Sequence, residues 1–307
     1  MSKIGIIGNG IHSKRIQKIL SEKKLKYLIY KPSRPKYYDK NALLELKKCN
    51  IIFILSPNKT HFNYINLFKK KSYIFCEKPP TTNKVQLKKL KKANYKKIYF
   101  NFNYRFSRIS EILKARKKYK VGNLIYANLV LAHGLSLMKK YQKNWRSNYK
   151  KSPQGVFENV SIHFIDLINY HFKIYKTQKP NLSKNSKFGN SYDTSHIQMF
   201  HKNKTVINIF STYNSPYAKN LFFLFDNGII IQKDNEISIK GPAMNFDKNG
   251  MFSSPKTIKK ININYKKDYS ESLKKSVSYF LSIANKKLSF NKSLFNSSLE
   301  SNKILLG

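Results

Sequence analysis

The sequence predicts two domains: an α/β domain with a doubly wound parallel sheet over residues 1–120, and an α+β domain with an open antiparallel sheet over 121–307. Three observations carry this. Short apolar runs at 4–7, 27–30, 51–55, 73–77 and 98–103 alternate with helical patterns, as parallel strands joined by crossover helices do. Beyond Gly122 the period becomes two, at 124–131, 196–201 and 205–212, and Asp226-Asn227-Gly228 closes a hairpin between 221–225 and 229–232. At 307 residues the chain is long enough for two cores.

Strand 4–7 runs into Gly8-Asn9-Gly10-Ile11-His12-Ser13, after which Ile16, Ile19 and Leu20 recur at helical spacing. Strand, glycine turn and helix in that order make a dinucleotide-binding turn. Gly8 permits the tight turn, and Gly10 lets a pyrophosphate approach the backbone. The helix N-terminus then offers N–H groups and a positive dipole end. Ser13 replaces the third glycine and is small enough for helix and strand to pack closely. Gly8, Asn9, Gly10, Ile11 and His12 are therefore cofactor-binding candidates, with an ordinary helix start as the plainer reading of His12.

Strand 27–30 ends in Lys31-Pro32-Ser33-Arg34, where a carboxylate would hold the ribose hydroxyls of NAD. None is present. Ser33 and Arg34, with Lys31, suit a 2′-phosphate, so NADP is expected in preference to NAD. A solvated basic loop is the alternative. The next helix, 42–48, follows so soon that the usual second crossover helix is expected to be missing. Strand 51–55 stops at Ser56-Pro57-Asn58, and a helix begins near His61; such a strand-to-helix loop is a cofactor wall.

Strand 73–77 ends abruptly in Glu77-Lys78-Pro79-Pro80. It delivers charged side chains to the sheet edge where open α/β proteins bind ligands, and Pro79 keeps Lys78 out of helical geometry. Strand 98–103 leads into Tyr104-Arg105-Phe106 and a helix over 109–119. In the second domain one helical segment, 155–166, interrupts the strands. It sets Asn159 and His163 four residues apart on one face, and Trp145-Arg146 stands just before it. The polar run 177–194 is expected to be an exposed loop, and 269–286 a long amphipathic helix.

The formal charge of +45 suggests nucleic acid or an anionic membrane surface. The lysines, however, are spread along the whole chain, and Asn, Ile, Tyr and Phe are inflated with them. No zinc-finger spacing, RNA-recognition motif or basic heptad region is present. No specific nucleic-acid partner is expected. No apolar run approaches the ~20 residues of a membrane span, and no basic-then-apolar leader opens the chain, so a soluble, cytoplasmic protein is expected. Cys49 and Cys76 fit buried thiols, and His133 and His171 lack metal-ligand spacing.

Five motifs in order resemble the Gfo/Idh/MocA oxidoreductases, the glucose–fructose oxidoreductase and inositol dehydrogenase family. They are Gly8-Asn9-Gly10, Ser56-Pro57-Asn58 with His61, Glu77-Lys78-Pro79, Asn103-Tyr104-Arg105, and Trp145-Arg146 followed by 155–166. Glu-Lys-Pro after a strand is the most specific of them. The resemblance covers residues 3–166; beyond, only the strand pattern agrees. It implies an N-terminal Rossmann domain and a C-terminal sheet that covers the nicotinamide and often joins a homo-oligomer. It further implies NAD(P)-dependent hydride transfer to or from a secondary alcohol or ketone of a sugar, cyclitol or sugar nucleotide.

The resemblance places Lys78 beside the nicotinamide and the reacting oxygen, and makes His163 the acid/base, with Asn159 the third catalytic candidate. Ser56, Pro57, Asn58, His61, Glu77, Trp145 and Arg146 join the cofactor candidates, and Arg105, Asn159 and His163 the substrate candidates. An imidazole suits the proton, its unperturbed pKa being ~6.5, and an ammonium suits an alkoxide-like oxygen. Asn159 stands where the family usually has an aspartate, so it brings no charge to balance Lys78 or to raise the basicity of His163. This leaves two alternatives: a non-catalytic NADP-binding or sensor protein, and a biliverdin-reductase-like reductase of an imine or conjugated double bond.

Overall fold

The computed structural model describes residues 3–32, 40–93, 95–202, 205–242 and 246–307. Two compact units result, Met1–Asn103 with Glu271–Leu306, and Tyr104–Ser270. A single boundary at 120/121 therefore does not divide them, because the end of the chain returns to the first unit.

In the first unit five short strands form a parallel sheet: β1 (Ile4–Ile7), β2 (Tyr27–Tyr30), β3 (Ile51–Ile54), β4 (Tyr73–Glu77) and β5 (Ile98–Asn101), in the order β2-β1-β3-β4-β5. Every residue of β1, β3 and β5 is buried, which is why these strands read as continuous apolar runs. The crossovers are α1 (Ile11–Glu22), α2 (Lys40–Lys47), α3 (His61–Phe68) and α4 (Lys84–Lys91). The crossover expected to be missing is α2 itself, joining β2 to β3. Asn83 caps α4, its side chain accepting the Gln86 N–H at 2.9 Å.

The second unit opens with α5 (Arg108–Lys114), capped by Ser107, and β6 (Leu124–Ala132). A π-helical turn, Phe157–Ser161, runs into α6 (Ile162–Phe172). The remaining strands are β7 (Lys176–Thr177), β8 (Asn181–Ser183), β9 (Thr194–Phe200), β10 (Val206–Thr212), β11 (Ala218–Phe225), β12 (Gly228–Lys233), β13 (Glu236–Lys240) and β14 (Thr257–Asn262). They pair as β14-β13-β12-β11-β6-β10-β9-β7, with β8 also on β9. The sheet is mixed rather than purely antiparallel, since β6 and β10 are parallel. The β9–β10 hairpin lays β10 beside β6 after the chain has passed through α6, so no hairpin links those two strands. Side chains alternate across the sheet. On β11, Lys219, Leu221, Phe223 and Phe225 are buried, and the Phe172 ring of α6 lies 6.2 Å from Phe223 and 6.3 Å from Phe225. The run 177–194 is not simply an exposed loop: it holds β8 and the buried Ser186, Ser191 and Asp193.

Two C-terminal helices complete the description, α7 (Tyr265–Ala284) and α8 (Lys292–Leu306). In the first unit, Phe280 of α7 meets Phe53 edge-on at 5.4 Å and Phe75 at 5.4 Å. From the neighbouring, opposite-facing position on β5, Phe100 stacks on Phe295 of α8 at 5.8 Å. The parallel sheet thus receives a helix of the C-terminal segment on each face.

Candidate active site

The glycine turn is held from three sides. Gly8 has φ +107°, and a Cβ there would lie 2.5 Å from the Leu55 carbonyl oxygen, so only glycine fits. Ser13 is fully buried and donates to the Gly8 carbonyl at 2.8 Å. Gln17 donates to Asn9 Oδ1 at 3.0 Å and to Ser13 Oγ at 2.9 Å, so the Asn9 amide fastens the turn to α1. Gly10 is the extended N-cap of α1, and among the described residues no side-chain hydrogen bond caps the helix. Among the described residues a Cβ on Gly10 would meet nothing within 4 Å, and the neighbouring Ile11 is exposed. Open space over the positive end of a helix is what a pyrophosphate needs, so the residues present fit a dinucleotide there.

At the end of β4, Glu77 faces α1. Its carboxylate pairs with His12 Nε2 at 2.7 Å and accepts from Asn101 Nδ2 at 2.6 Å. Ser276 Oγ donates to Asn101 Oδ1 at 2.7 Å and meets the Tyr99 hydroxyl at 2.8 Å. Burial alone would raise the Glu77 carboxyl; the charge and hydrogen bond of His12, the Asn101 amide and nearby Lys78 outweigh it and hold its pKa below the ordinary range. His12 and Glu77, both cofactor candidates, thus lock the first turn of α1 to the β4 edge.

The Ser56 loop and the Lys78 loop are joined by His61. This residue is fully buried, its Nδ1 2.8 Å from the Pro79 carbonyl and its Nε2 2.9 Å from the Ser56 carbonyl. It shapes the wall and has no surface for a cofactor, which corrects its place among the ligands. Burial lowers its pKa against those two hydrogen bonds. Pro57 is exposed, and Ser56 Oγ lies 2.6 Å from Thr60 Oγ1. Asn58 Nδ2 is buried and has no hydrogen-bond partner among the described residues, a spare donor in the wall. Beyond Lys78, whose bond to Pro79 is cis, Asn302 of α8 accepts the Thr81 N–H at 2.8 Å and donates to the Thr81 carbonyl at 3.1 Å. Lys78 is half-buried on a loop fixed on both sides. Ser33 and Arg34 lie outside the described residues.

In the second unit His163 stands near the start of α6, its ring 5.1 Å from that of Tyr104. Burial, and then the neighbouring Tyr265, Tyr269 and Tyr217, push the Tyr104 phenol well above its ordinary pKa, so it stays neutral. Asn159 falls in the π turn, not in an α-helical register with His163. Its amide donates to Ser152 Oγ at 2.8 Å and to the Gly155 carbonyl at 2.7 Å, and Ser152 in turn donates to the buried Glu158. Arg105 is corrected: its guanidinium is buried in a two-pronged pair with Asp166, Nε to Oδ2 at 2.7 Å and Nη2 to Oδ1 at 2.5 Å. It holds α6 and has no arm for a substrate. Trp145 and Arg146 are half-buried and stack on each other, with Cζ 4.6 Å from the indole centroid.

A cleft of about 590 Å³ in this unit, lined by Arg116, His171 and His201 among others, contains none of the predicted residues. Burial and the cations Arg116, Arg105 and Lys114 hold His171 down to about 3, so it is neutral there. No sequence motif pointed to Asn302 or Lys219, and Glu158, inside the 155–166 segment, was given no role there. They are single polar residues inside patterns that otherwise read as helix or strand.

Residues 11–99 match the model of the Gfo/Idh/MocA family, described as an oxidoreductase family with an NAD-binding Rossmann fold. The chain is 26% identical over 144 residues to oxidoreductase P35 of Formosa agariphila, a match that spans 43% of each chain. Among solved structures it is similar to a levoglucosan dehydrogenase in complex with NADH and levoglucosan, with TM-score 0.79, 15% identity and coverage of 99% of this chain and 95% of that one. It is also similar to a myo-inositol dehydrogenase from Corynebacterium glutamicum, with TM-score 0.72, 16% identity and coverage of 99% and 94%. These likenesses share one fold, a Rossmann domain followed by a sheet domain. Residues 11–99 are thus similar to the NAD-binding Rossmann region of the Gfo/Idh/MocA oxidoreductase family.

Proposed function

We propose that the protein is an NAD(P)-dependent oxidoreductase that moves a hydride between a nicotinamide and a secondary alcohol or ketone of a sugar, cyclitol or sugar nucleotide. The observation that carries this is the Gly8–Gly10 turn, open above Gly10 at the uncapped start of α1. The similarity to sugar and cyclitol dehydrogenases supports the substrate class.

Gly10 and the first N–H groups of α1 hold the pyrophosphate, and the Ser56 loop with Asn58 lines the cofactor. Lys31, Ser33 and Arg34 favour NADP through the 2′-phosphate. When bound, the nicotinamide supplies or accepts the hydride. Lys78 holds the substrate oxygen as charge develops on it, His163 takes or returns the hydroxyl proton, and the neutral Tyr104 ring packs beside that imidazole. A soluble cytoplasmic enzyme that self-associates through the half-buried face of its mixed sheet completes the reading.

Turnover followed at 340 nm across a panel of sugars, cyclitols and sugar nucleotides tests it. Activity that falls about 100-fold or more in Lys78→Ala and in His163→Ala is expected; unchanged turnover in both variants would overturn it. Asn159 favours a second reading, since its amide serves Ser152 and Gly155 and carries no charge. NADPH binding without turnover on any member of the panel would select a non-catalytic NADP-binding or sensor protein.

A further inference from the structure

Lys219 stands on β11 in the buried row with Leu221 and Phe223 and is only 1% exposed. A lysine in such a row is costly unless its charge is met. Its Nζ lies 5.3 Å from the Tyr104 ring centroid and 5.6 Å from that of Tyr265. Two π faces attract the cation but offer no oxygen to its three N–H donors.

Among the described residues no carboxylate pairs with it. Asp234 accepts the Lys219 backbone N–H at 3.0 Å, and Asp268 accepts the Arg108 backbone N–H at 2.9 Å. Burial brings the Lys219 pKa down to about 8, with Asp268 alone acting in the other direction, so the group is still largely cationic at neutral pH.

Gln232 is a second, independent observation. It is opposite Leu221 on β12, so by register it shares a face with Lys219 and is its diagonal neighbour. Its side chain is fully buried, and neither Oε1 nor Nε2 has a hydrogen-bond partner among the described residues. Native proteins rarely leave a buried amide in that condition without a reason.

We propose that Lys219 and Gln232 form a subsite for an oxyanion of the substrate, a carboxylate or a phosphate. Lys219 supplies the charge and Gln232 Nε2 a directed donor. Gln232 Oε1 accepts from a neighbouring hydroxyl of the same ligand. Tyr104 lies over Lys219 and beside His163, so one aromatic ring separates the subsite from the proposed acid/base. The substrate class narrows to a polyol bearing an anionic group, such as a sugar acid or a sugar phosphate. This deepens the oxidoreductase reading and rests on it.

Calorimetric titration of the full chain with D-gluconate, inorganic phosphate and D-glucose, at about 150 mM salt to screen the surface charge, tests the subsite. The native chain is expected to bind one of the two anions and not glucose; gluconate identifies a carboxylate site and phosphate a phosphate site. Lys219→Met and Gln232→Leu should each weaken that binding about 10- to 100-fold, while Lys219→Arg stays within about threefold. NADH affinity should be the same in all of them, showing an intact fold. No anion binding by the native chain, or equal binding in Lys219→Met, would overturn the subsite. Should Lys219→Met not fold, Gln232→Leu decides alone, a loss supporting the subsite and no change overturning it. Anion binding through Lys219 with no hydride turnover would leave the subsite standing and remove the oxidoreductase reading; turnover of neutral sugars with no anion binding would do the reverse.

Discussion

Arg105 and Asp166 bury opposite charges in a paired geometry, with side chains 2% and 0% exposed. Removing one partner strands the other, so Arg105→Met or Asp166→Asn should each cost about 3–5 kcal/mol by urea unfolding, while an apolar double replacement recovers much of it. Losses near zero in the single variants would refute a structural role. The sequence showed a guanidinium after a strand; it gave no sign that Asp166, 61 residues on, would claim it.

Glu77 is the mirror case, a residue whose motif was legible and whose partner was not. Its folded pKa is depressed, so its contribution is present above the ordinary carboxyl value and is lost as pH falls through the lower folded one. Stability measured from neutral pH into the acid range should therefore fall more steeply in the native chain than in Glu77→Gln. Parallel curves would contradict the His12–Glu77–Asn101 lock. The tight turn at Gly8 was readable because glycine is the residue that a positive φ requires. The His61 role was not, because a histidine beside a cofactor and one bridging two carbonyls look alike in sequence.

Among elements, the five parallel strands were legible because burial on both faces makes them continuous apolar runs. α8 was missed: its buried face mixes Phe295, Leu299 and Leu305 with Ser298, Ser301 and Asn302, which dilutes the helical period. β13 and β14 were missed for a related reason, their isoleucines being interleaved with Ser, Lys and Asn. The parallel β6/β10 pair depends on which strands a long excursion brings together, and local pattern does not encode that. α7 was legible as an amphipathic helix, but its partner sheet was not. Phe280 gives the test at this scale: Phe280→Ala should destabilise by about 3–5 kcal/mol, since its ring fills a space bounded by Phe53, Phe75 and Tyr99. A loss below about 1 kcal/mol would mean that α7 does not carry this packing.

For the whole molecule, the two-domain reading held in kind while the division of the chain did not. Residues 271–306 belong with the first unit, so the C-terminal stretch is part of the dinucleotide-domain fold and not an appendage of the sheet domain. Asn302 makes the point at one position: it grips Thr81 just beyond Lys78, so the end of the chain helps fix a residue at the proposed centre. The charge of +45 is a property of the whole chain and should draw in anionic ligands generally. A binding test must therefore separate a built site from a diffuse field.

Gly10→Glu does this. A Cβ at position 10 meets nothing within 4 Å among the described residues, so the backbone there accepts a side chain, yet Glu puts a carboxylate where the pyrophosphate is proposed to lie. Fluorescence titration with NADPH and NADH at about 150 mM salt should give saturable binding to the native chain, tighter for NADPH, and a loss of about 100-fold or more in Gly10→Glu with an unchanged circular dichroism spectrum. Equal affinity in the two proteins, or no saturable binding by the native chain, would contradict the account.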